Sequence, residues 1–493
     1  MRNAAMLGGI FIPRTCGTRG FSDREATCGR HCYVLSILEL QLSVSVELIA
    51  AVRHSRGAVE SVRLRRTILP WLLFGALFLH ALGCGGLGPD QIFLMPPPDV
   101  YDDGVIDPFA DAISIEDLPY DGILYATDRS PATEEASEPF YANAPGGLLR
   151  LGVARVDLVG NEVSWDDIRD ISLLKQKSAR YPLKVAAIRE YGVLDRSATQ
   201  FSSPDSIGAD PHLPAERFAS SVNSKLATSN RKDVYIYVHG YKVVFENPIL
   251  VAMELWHFLG YDGVFIAYSW PSTPSRFAYL KDTETAEGNA RDLRLLIEYL
   301  AEETNVERIN IIGYSAGTRL VARTLEQLAL KHERDLRAEI QATLRIGKVL
   351  LIGSDIDREV FANYLADGLL EVPGHVSIYV AEQDRALRFA ERLTRRQRVG
   401  QAWSRTAMAP QLVEYLIEPE AGLSIINVSA APGASSGNGH RYFRQSPWAS
   451  SDVLITLSTD LAPGDRGLVR EGDSPVWTFP NDYIERLRAA LLR

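Results

Sequence analysis

The run Ile309-Asn310-Ile311-Ile312 leads straight into Gly313-Tyr314-Ser315-Ala316-Gly317, and a helical pattern follows from Thr318 to Leu330, with Leu320, Val321, Leu325, Leu328 and Ala329 recurring at helical spacing. A serine between small residues at a strand-to-helix corner forms a turn that lifts its hydroxyl above a sheet edge; Gly313, Ala316 and Gly317 keep that corner free of bulk. The chemistry open to such a serine is attack on a carbonyl. The same pentapeptide pattern recurs at Gly433-Ala434-Ser435-Ser436-Gly437, but that copy runs into Asn438-Gly439-His440 and further turn residues, so it reads as a loop.

A hydroxyl is a weak nucleophile at neutral pH and needs a base in hydrogen-bond reach, with a third group to orient the base. After this kind of elbow the acid comes next in the chain and the histidine last. Only His332, His375 and His440 follow Ser315. His332 falls at the charged end of the helix after the serine, and His375 enters a strand at the edge away from the chemistry. His440 follows the last expected strand in a Gly-rich loop and is the expected base. For the acid, Val376 to Val380 runs into Ala381-Glu382-Gln383-Asp384, which sets Asp384 just past a strand's carboxyl end; Asp355 and Asp357, past the preceding strand, are the alternatives. Asp384 also has the ordinary role of helix N-cap open to it. An oxyanion needs two backbone N–H groups. Ala316, next to the nucleophile, is one expected donor, and Tyr241 in Tyr237-Val238-His239-Gly240-Tyr241 is the other; Gly240 permits close approach, and His239 is expected to support the loop.

The elements that must hold these residues are short β-rich runs at Val234 to Val238, Val264 to Ser269, Ile309 to Ile312, Lys348 to Ile352, Val376 to Val380 and Ser424 to Val428. Amphipathic stretches separate most of them, the clearest being Thr285 to Glu303. Alternating strands and helices with near-continuous apolar strands predict an α/β fold: a mostly parallel sheet with helices on both faces and chemistry at its carboxyl edge. Upstream, Gly122 to Thr127, Gly147 to Val159 and Leu183 to Ile188 read as further strands, while residues 196–230 read as an excursion or linker. The expected organisation is a hydrolase-type domain over residues 119–493 with a strand-rich N-terminal extension, preceded by a flexible Gly/Pro/Asp-rich tether at 85–118.

Composition narrows the class. The net charge is −10, and residues 1–83 hold ten Arg against five acidic residues, so the remainder carries −15 and offers no basic footprint for nucleic acid. The four cysteines, Cys16, Cys28, Cys32 and Cys84, all lie near the start, so no disulfide framework holds the main domain. No His-Glu-x-x-His or clustered Cys/His pattern implies a metal, and no organic cofactor is expected. Gly83-x-Gly85-x-x-Gly88 matches a dinucleotide fingerprint without the strand and helix that would give it meaning.

Arg63-Leu64-Arg65-Arg66, the apolar stretch Ile68 to Leu82 and the small-residue end at Gly83-Cys84 make residues 62–84 look like an export signal. The terminal Leu-Gly-Cys resembles a lipoprotein signal, with Cys84 lipidated as the mature N-terminus, although Ala81 stands where such signals usually have Leu. A single membrane-spanning anchor is the alternative, but the stretch is shorter than the roughly 20 residues a crossing helix needs. Residues 1–61 then read as an upstream extension from a start site set too early, or as disordered chain; no methionine lies between Met6 and Met95, so a later start would use a non-standard codon, as at Val62. The expected location is the cell envelope, outside the cytoplasmic membrane and held there by a lipid anchor.

Seven segments together resemble an uncharacterised bacterial α/β-hydrolase family of the esterase/lipase type, often exported or lipid-anchored. They are Leu124 to Arg129, Val238-His239-Gly240-Tyr241, Tyr268 to Ser272, Gly313 to Gly317, Asp355-Ile356-Asp357, Asp384 to Leu387 and Gly439-His440-Arg441-Tyr442-Phe443, and the resemblance covers about residues 120–460. It implies the α/β-hydrolase fold and Ser315, Asp384 and His440 as a triad, in agreement with position. The family usually has a residue smaller than Arg441 after the histidine. The expected activity is cleavage of a small-molecule or lipid ester through an acyl-enzyme. Amide or thioester cleavage by the same machinery, and a lipid-anchored binding protein without catalysis, are the alternatives. The segment from Trp270 to Leu280 is the candidate cover of the pocket.

Overall fold

Strands buried on both faces must be covered on both, and β4 (Asp233–Val238) and β5 (Val264–Ser269) are buried at every residue. They belong to an eleven-stranded sheet with β1 (Ile123–Pro131), β2 (Tyr141–Leu158), β3 (Leu183–Val193), β6 (Arg308–Tyr314), β7 (Ile346–Ile352), β8 (His375–Val380), β9 (Leu423–Asn427), β10 (Val469–Arg470) and β11 (Val476–Thr478). The spatial order is β10-β11-β9-β8-β7-β6-β4-β5-β1-β2-β3. From β11 through β1 all neighbours are parallel, and the antiparallel pairs lie at the two margins. This computed structural model describes residues 91–493 except 112–117, 121, 135–137, 160–162, 175–179, 204–206, 404–413, 415–417, 419–421 and 473, within one unit, Pro89–Arg493.

After β4 the chain adds β5 on one side, then returns to lay β6, β7, β8 and β9 on the other. The carboxyl ends of β4 and β6 therefore flank a point where strand order reverses, the crevice in which open α/β sheets bind ligands. The β4–β6 register, Val238 against Gly313, brings His239-Gly240 level with the serine turn. Helices Ala290–Glu303 and Gly317–Lys331 pack against each other with Leu293, Leu296, Leu300, Leu320, Val321 and Leu325 fully buried. Among the described residues no helix is long and apolar enough to cross a membrane.

Several expectations need correction. The stretch 85–118 is not a tether over residues 91–111: Met95, Val100 and Tyr101 are buried, the Tyr101 hydroxyl donates to Phe258 O (2.9 Å), and Met95 N donates to Glu254 (3.0 Å). A few anchors dock this strap on distant helices, so it shows no periodicity of its own. Residues 196–230 are not merely a linker, since helix Leu213–Thr228 starts with Pro in its first turn and buries Phe218, Val222 and Leu226. Thr285 to Glu303 is not one helix; Asn289 separates Tyr279–Gly288 from Ala290–Glu303. The sheet also continues past the last expected strand into β11 and β10, which are too short to signal themselves. The signal-like segment, Cys84 and residues 1–61 lie outside the described residues.

Candidate active site

Ser315 follows β6 with φ at 53°, a left-handed conformation that costs a non-glycine residue about 1–3 kcal/mol and persists only where its surroundings enforce it. Here they do. Ser315 N donates to Ile352 O on neighbouring β7 (2.9 Å), and Thr318 donates to Ser315 O through its N (3.0 Å) and its hydroxyl (2.6 Å). The flanking glycines are fixed by close approach: a Cβ on Gly317 would meet His239 O at 2.3 Å, and one on Gly240 would meet Ser315 Cβ at 2.8 Å and Oγ at 3.3 Å. Gly313, at the end of β6, faces Val321 and Thr318 of the following helix, and Ala316 is fully buried ahead of that helix.

The structure brings Ser315, His440 and Asp384 together from the ends of β6, β9 and β8. Ser315 Oγ lies 2.8 Å from His440 Nε2, and His440 Nδ1 lies 2.6 Å from Asp384 Oδ2. All three are buried, with Ser315 at 5%, His440 at 7% and Asp384 at 1% exposure. The other oxygen of Asp384 accepts from Leu387 N (3.0 Å), so one carboxylate both caps helix Arg385–Thr394 and faces the imidazole. His440 N donates to Asn438 Oδ1 (3.1 Å), and the Tyr442 hydroxyl accepts from Gly353 N (2.6 Å) while donating to Tyr379 O (2.8 Å). Asn438 and Tyr442 thus hold the histidine loop, a duty that the Asn-Gly-His turn signal did not announce.

The other candidates lie elsewhere. Asp355 accepts from the Tyr279 hydroxyl at 2.9 and 2.8 Å and pairs with Arg319 (3.2 Å) and Arg398 (3.5 Å). Asp357 caps helix Arg358–Ala366 through Glu359 N and Val360 N. His332 bonds Asp335, and His375 bonds the Ser424 hydroxyl; Ser435 sits exposed in turns.

His239 stacks on Trp270 (ring centres 5.0 Å apart, planes within 3°), with Nδ1 2.6 Å from Gly240 O and Nε2 3.1 Å from Trp270 O; the indole N–H donates to His239 O (2.7 Å). Burial, with the Arg129 charge adding to it, pulls the pKa of His239 down to about 3; the neutral ring has one N–H and donates to one of these two carbonyls, and its stacking on Trp270 makes it a brace. Tyr279, which no sequence signal marked, sets its ring edge-on to Tyr241 at 5.5 Å. Trp270 itself is fully buried, whereas Pro274, Phe277 and Leu280 are exposed and Ala278 and Tyr279 between them are buried, so that segment alternates between core and solvent.

Parallel strands reversing order at β4 and β6, a left-handed serine between them, and a histidine and a carboxylate converging from later strands define an α/β hydrolase fold. Residues 215–457 match the family described as "Alpha/beta hydrolase of unknown function (DUF900)". No curated protein matches the chain. β4 to β9 lie within the family match, and β1 to β3 precede it. Among the described residues no group of three or more His, Cys, Asp or Glu is placed to hold a metal ion.

Proposed function

We propose that this protein is a serine hydrolase that cleaves a carboxylic ester through an acyl-enzyme. The observation that carries the proposal is the unbroken buried line from Ser315 Oγ to His440 Nε2 and from His440 Nδ1 to Asp384, at 2.8 and 2.6 Å. Ser315 Oγ attacks the ester carbonyl while its proton passes to His440 Nε2. The Asp384 carboxylate stabilises the resulting imidazolium. The Ala316 and Tyr241 amides are assigned to the oxyanion. Collapse of the tetrahedral intermediate breaks the ester C–O bond, and the alcohol leaves with the proton from His440. Water, deprotonated by the same ring, then releases the acid and restores the serine.

The test is to treat the purified full chain with a fluorophosphonate and map the adduct by mass spectrometry, with turnover of matched ester and amide substrates measured alongside. Labelling confined to Ser315, with ester turnover abolished in a folded Ser315→Ala variant, is expected. A folded protein that neither labels nor turns over an ester rejects the assignment. The same proposal includes export and lipid attachment at Cys84, for which the sequence order of basic, apolar and small residues is the support; incorporation of labelled fatty acid in cells, lost in Cys84→Ser, tests it.

A further inference from the structure

Arg129, in β1, is fully buried, yet among the described residues no carboxylate lies within ion-pair distance of it. Glu246, Asp282 and Glu138 act on it only through space. A buried guanidinium without a carboxylate is costly, so its neutral partners matter. Nη2 donates to Val243 O (2.8 Å), Nε to Ser269 Oγ (3.1 Å) and Nη1 to Asn143 Oδ1 (2.7 Å). Val243 ends the short loop that begins with His239, Gly240 and Tyr241. The Ser269 hydroxyl in turn lies 3.4 Å from Phe245 O, and Ser272 brackets Val243, accepting from its N (3.0 Å) and donating to its O (2.8 Å). At the other end of the loop, His239 is clamped by Trp270. Lys242, in between, has a left-handed φ of 62°, a strained link that holds only while both ends are fixed.

We infer that Arg129 is a positioning residue: from a strand outside the matched family region, its guanidinium fixes the 239–243 loop so that Gly240 stays against Ser315 and the Tyr241 amide stays aimed at the oxyanion. The inference rests on the proposed role of Ser315 and the Tyr241 amide. Three separate acceptors suit the planar fork of guanidinium donors, which a lysine cannot imitate. Its charge adds to the burial that disfavours protonation of His239.

The test uses the full chain with Arg129→Lys, Arg129→Met and, as a control, Asp233→Asn, which removes the Arg308 partner (3.0 Å) at the opposite edge of the sheet. Ester turnover is normalised to phosphonate-titrated sites and followed with KM and Tm. The expected result is a kcat lowered ~10²-fold in Arg129→Met and nearly as far in Arg129→Lys, with KM within ~3-fold, because a misplacement of about 1 Å costs that much. Asp233→Asn is expected to lower Tm and leave kcat unchanged. Should Arg129→Met fail to fold, Arg129→Ala supplied with methylguanidinium is the second measurement: recovery of kcat supports the inference, and folded, titratable protein without recovery overturns it. Parental kcat in folded Arg129→Lys and Arg129→Met overturns it while leaving the hydrolase reading intact. A parent that neither labels nor turns over an ester overturns both.

Discussion

Gly240→Ala is the sharpest probe of the geometry, because the added methyl meets the nucleophile's own side chain. Its Cβ would lie 2.8 Å from Ser315 Cβ and 3.3 Å from Oγ. Carbons in contact rest about 3.5–4.0 Å apart, so the pair must separate by roughly 0.7–1.2 Å. Ser315 is the less movable side: its amide is bonded to Ile352 O and its carbonyl receives two donors from Thr318. The 239–243 loop therefore yields, carrying the Tyr241 amide with it. A donor that must lie about 2.7–3.1 Å from the oxyanion is then out of reach, and loss of one such donor costs ~10²–10³ in kcat, or about 2.7–4 kcal/mol in the transition state. Steady-state rates on a short ester series, divided by phosphonate-titrated sites, read this directly, with KM little changed. A folded Gly240→Ala with kcat within ~3-fold of the parent would refute the placement of the oxyanion loop and of Tyr241 as donor.

Asp384→Asn separates the two duties of that carboxyl. Asn caps helices about as well as Asp, so Tm stays close to the parent's, while an amide N–H facing His440 Nδ1 selects the wrong tautomer and drops kcat ~10⁴-fold; retained turnover would return Asp355 or Asp357 to contention. The pH dependence of stability follows from His257, buried with Nε2 3.0 Å from the Ser172 hydroxyl and Nδ1 2.6 Å from the Tyr261 hydroxyl, its pKa lowered to about 3 by burial and then by Arg169. Because the folded pKa lies below the unfolded one, the unfolded chain takes the proton first, and the stability due to the neutral ring is lost as pH falls from about 6.5 toward 3. The stability gap between the parent and His257→Gln should thus shrink by up to ~1.4 kcal/mol per pH unit below about 6.5; a gap constant from pH 8 to 4.5 in denaturant titrations contradicts the assignment.

The central sheet and its elbow can be read from local residue pattern alone. β4 through β9 are covered on both faces, so their burial is written as continuous β-branched and aromatic runs. The small residues around Ser315 were legible because the space beside each is already filled, by the Val238 and His239 carbonyls at Gly317, by Val321 and Thr318 at Gly313 and by the Ser315 side chain at Gly240. His440 and Asp384 were legible because the chain offers few histidines after Ser315 and because parallel strands put all their carboxyl ends on one edge. Features that depend on partners far along the chain emerge only when the elements pack. The strap over residues 91–111 is held by single anchors such as Val100 N on the Ser451 hydroxyl (3.2 Å), which leave no period in the sequence. Asp355 and Asp384 follow adjacent strands with equal local credentials; only the approach of Tyr279, Arg319 and Arg398 to one, and of His440 to the other, divides their roles. Arg129 stood within a recognisable segment, but its hydrogen bond to Val243, 114 residues away, exists only once β1 has paired beside β5. Local pattern records which face of an element is buried, whereas a polar contact across the fold depends on where two separate elements come to rest.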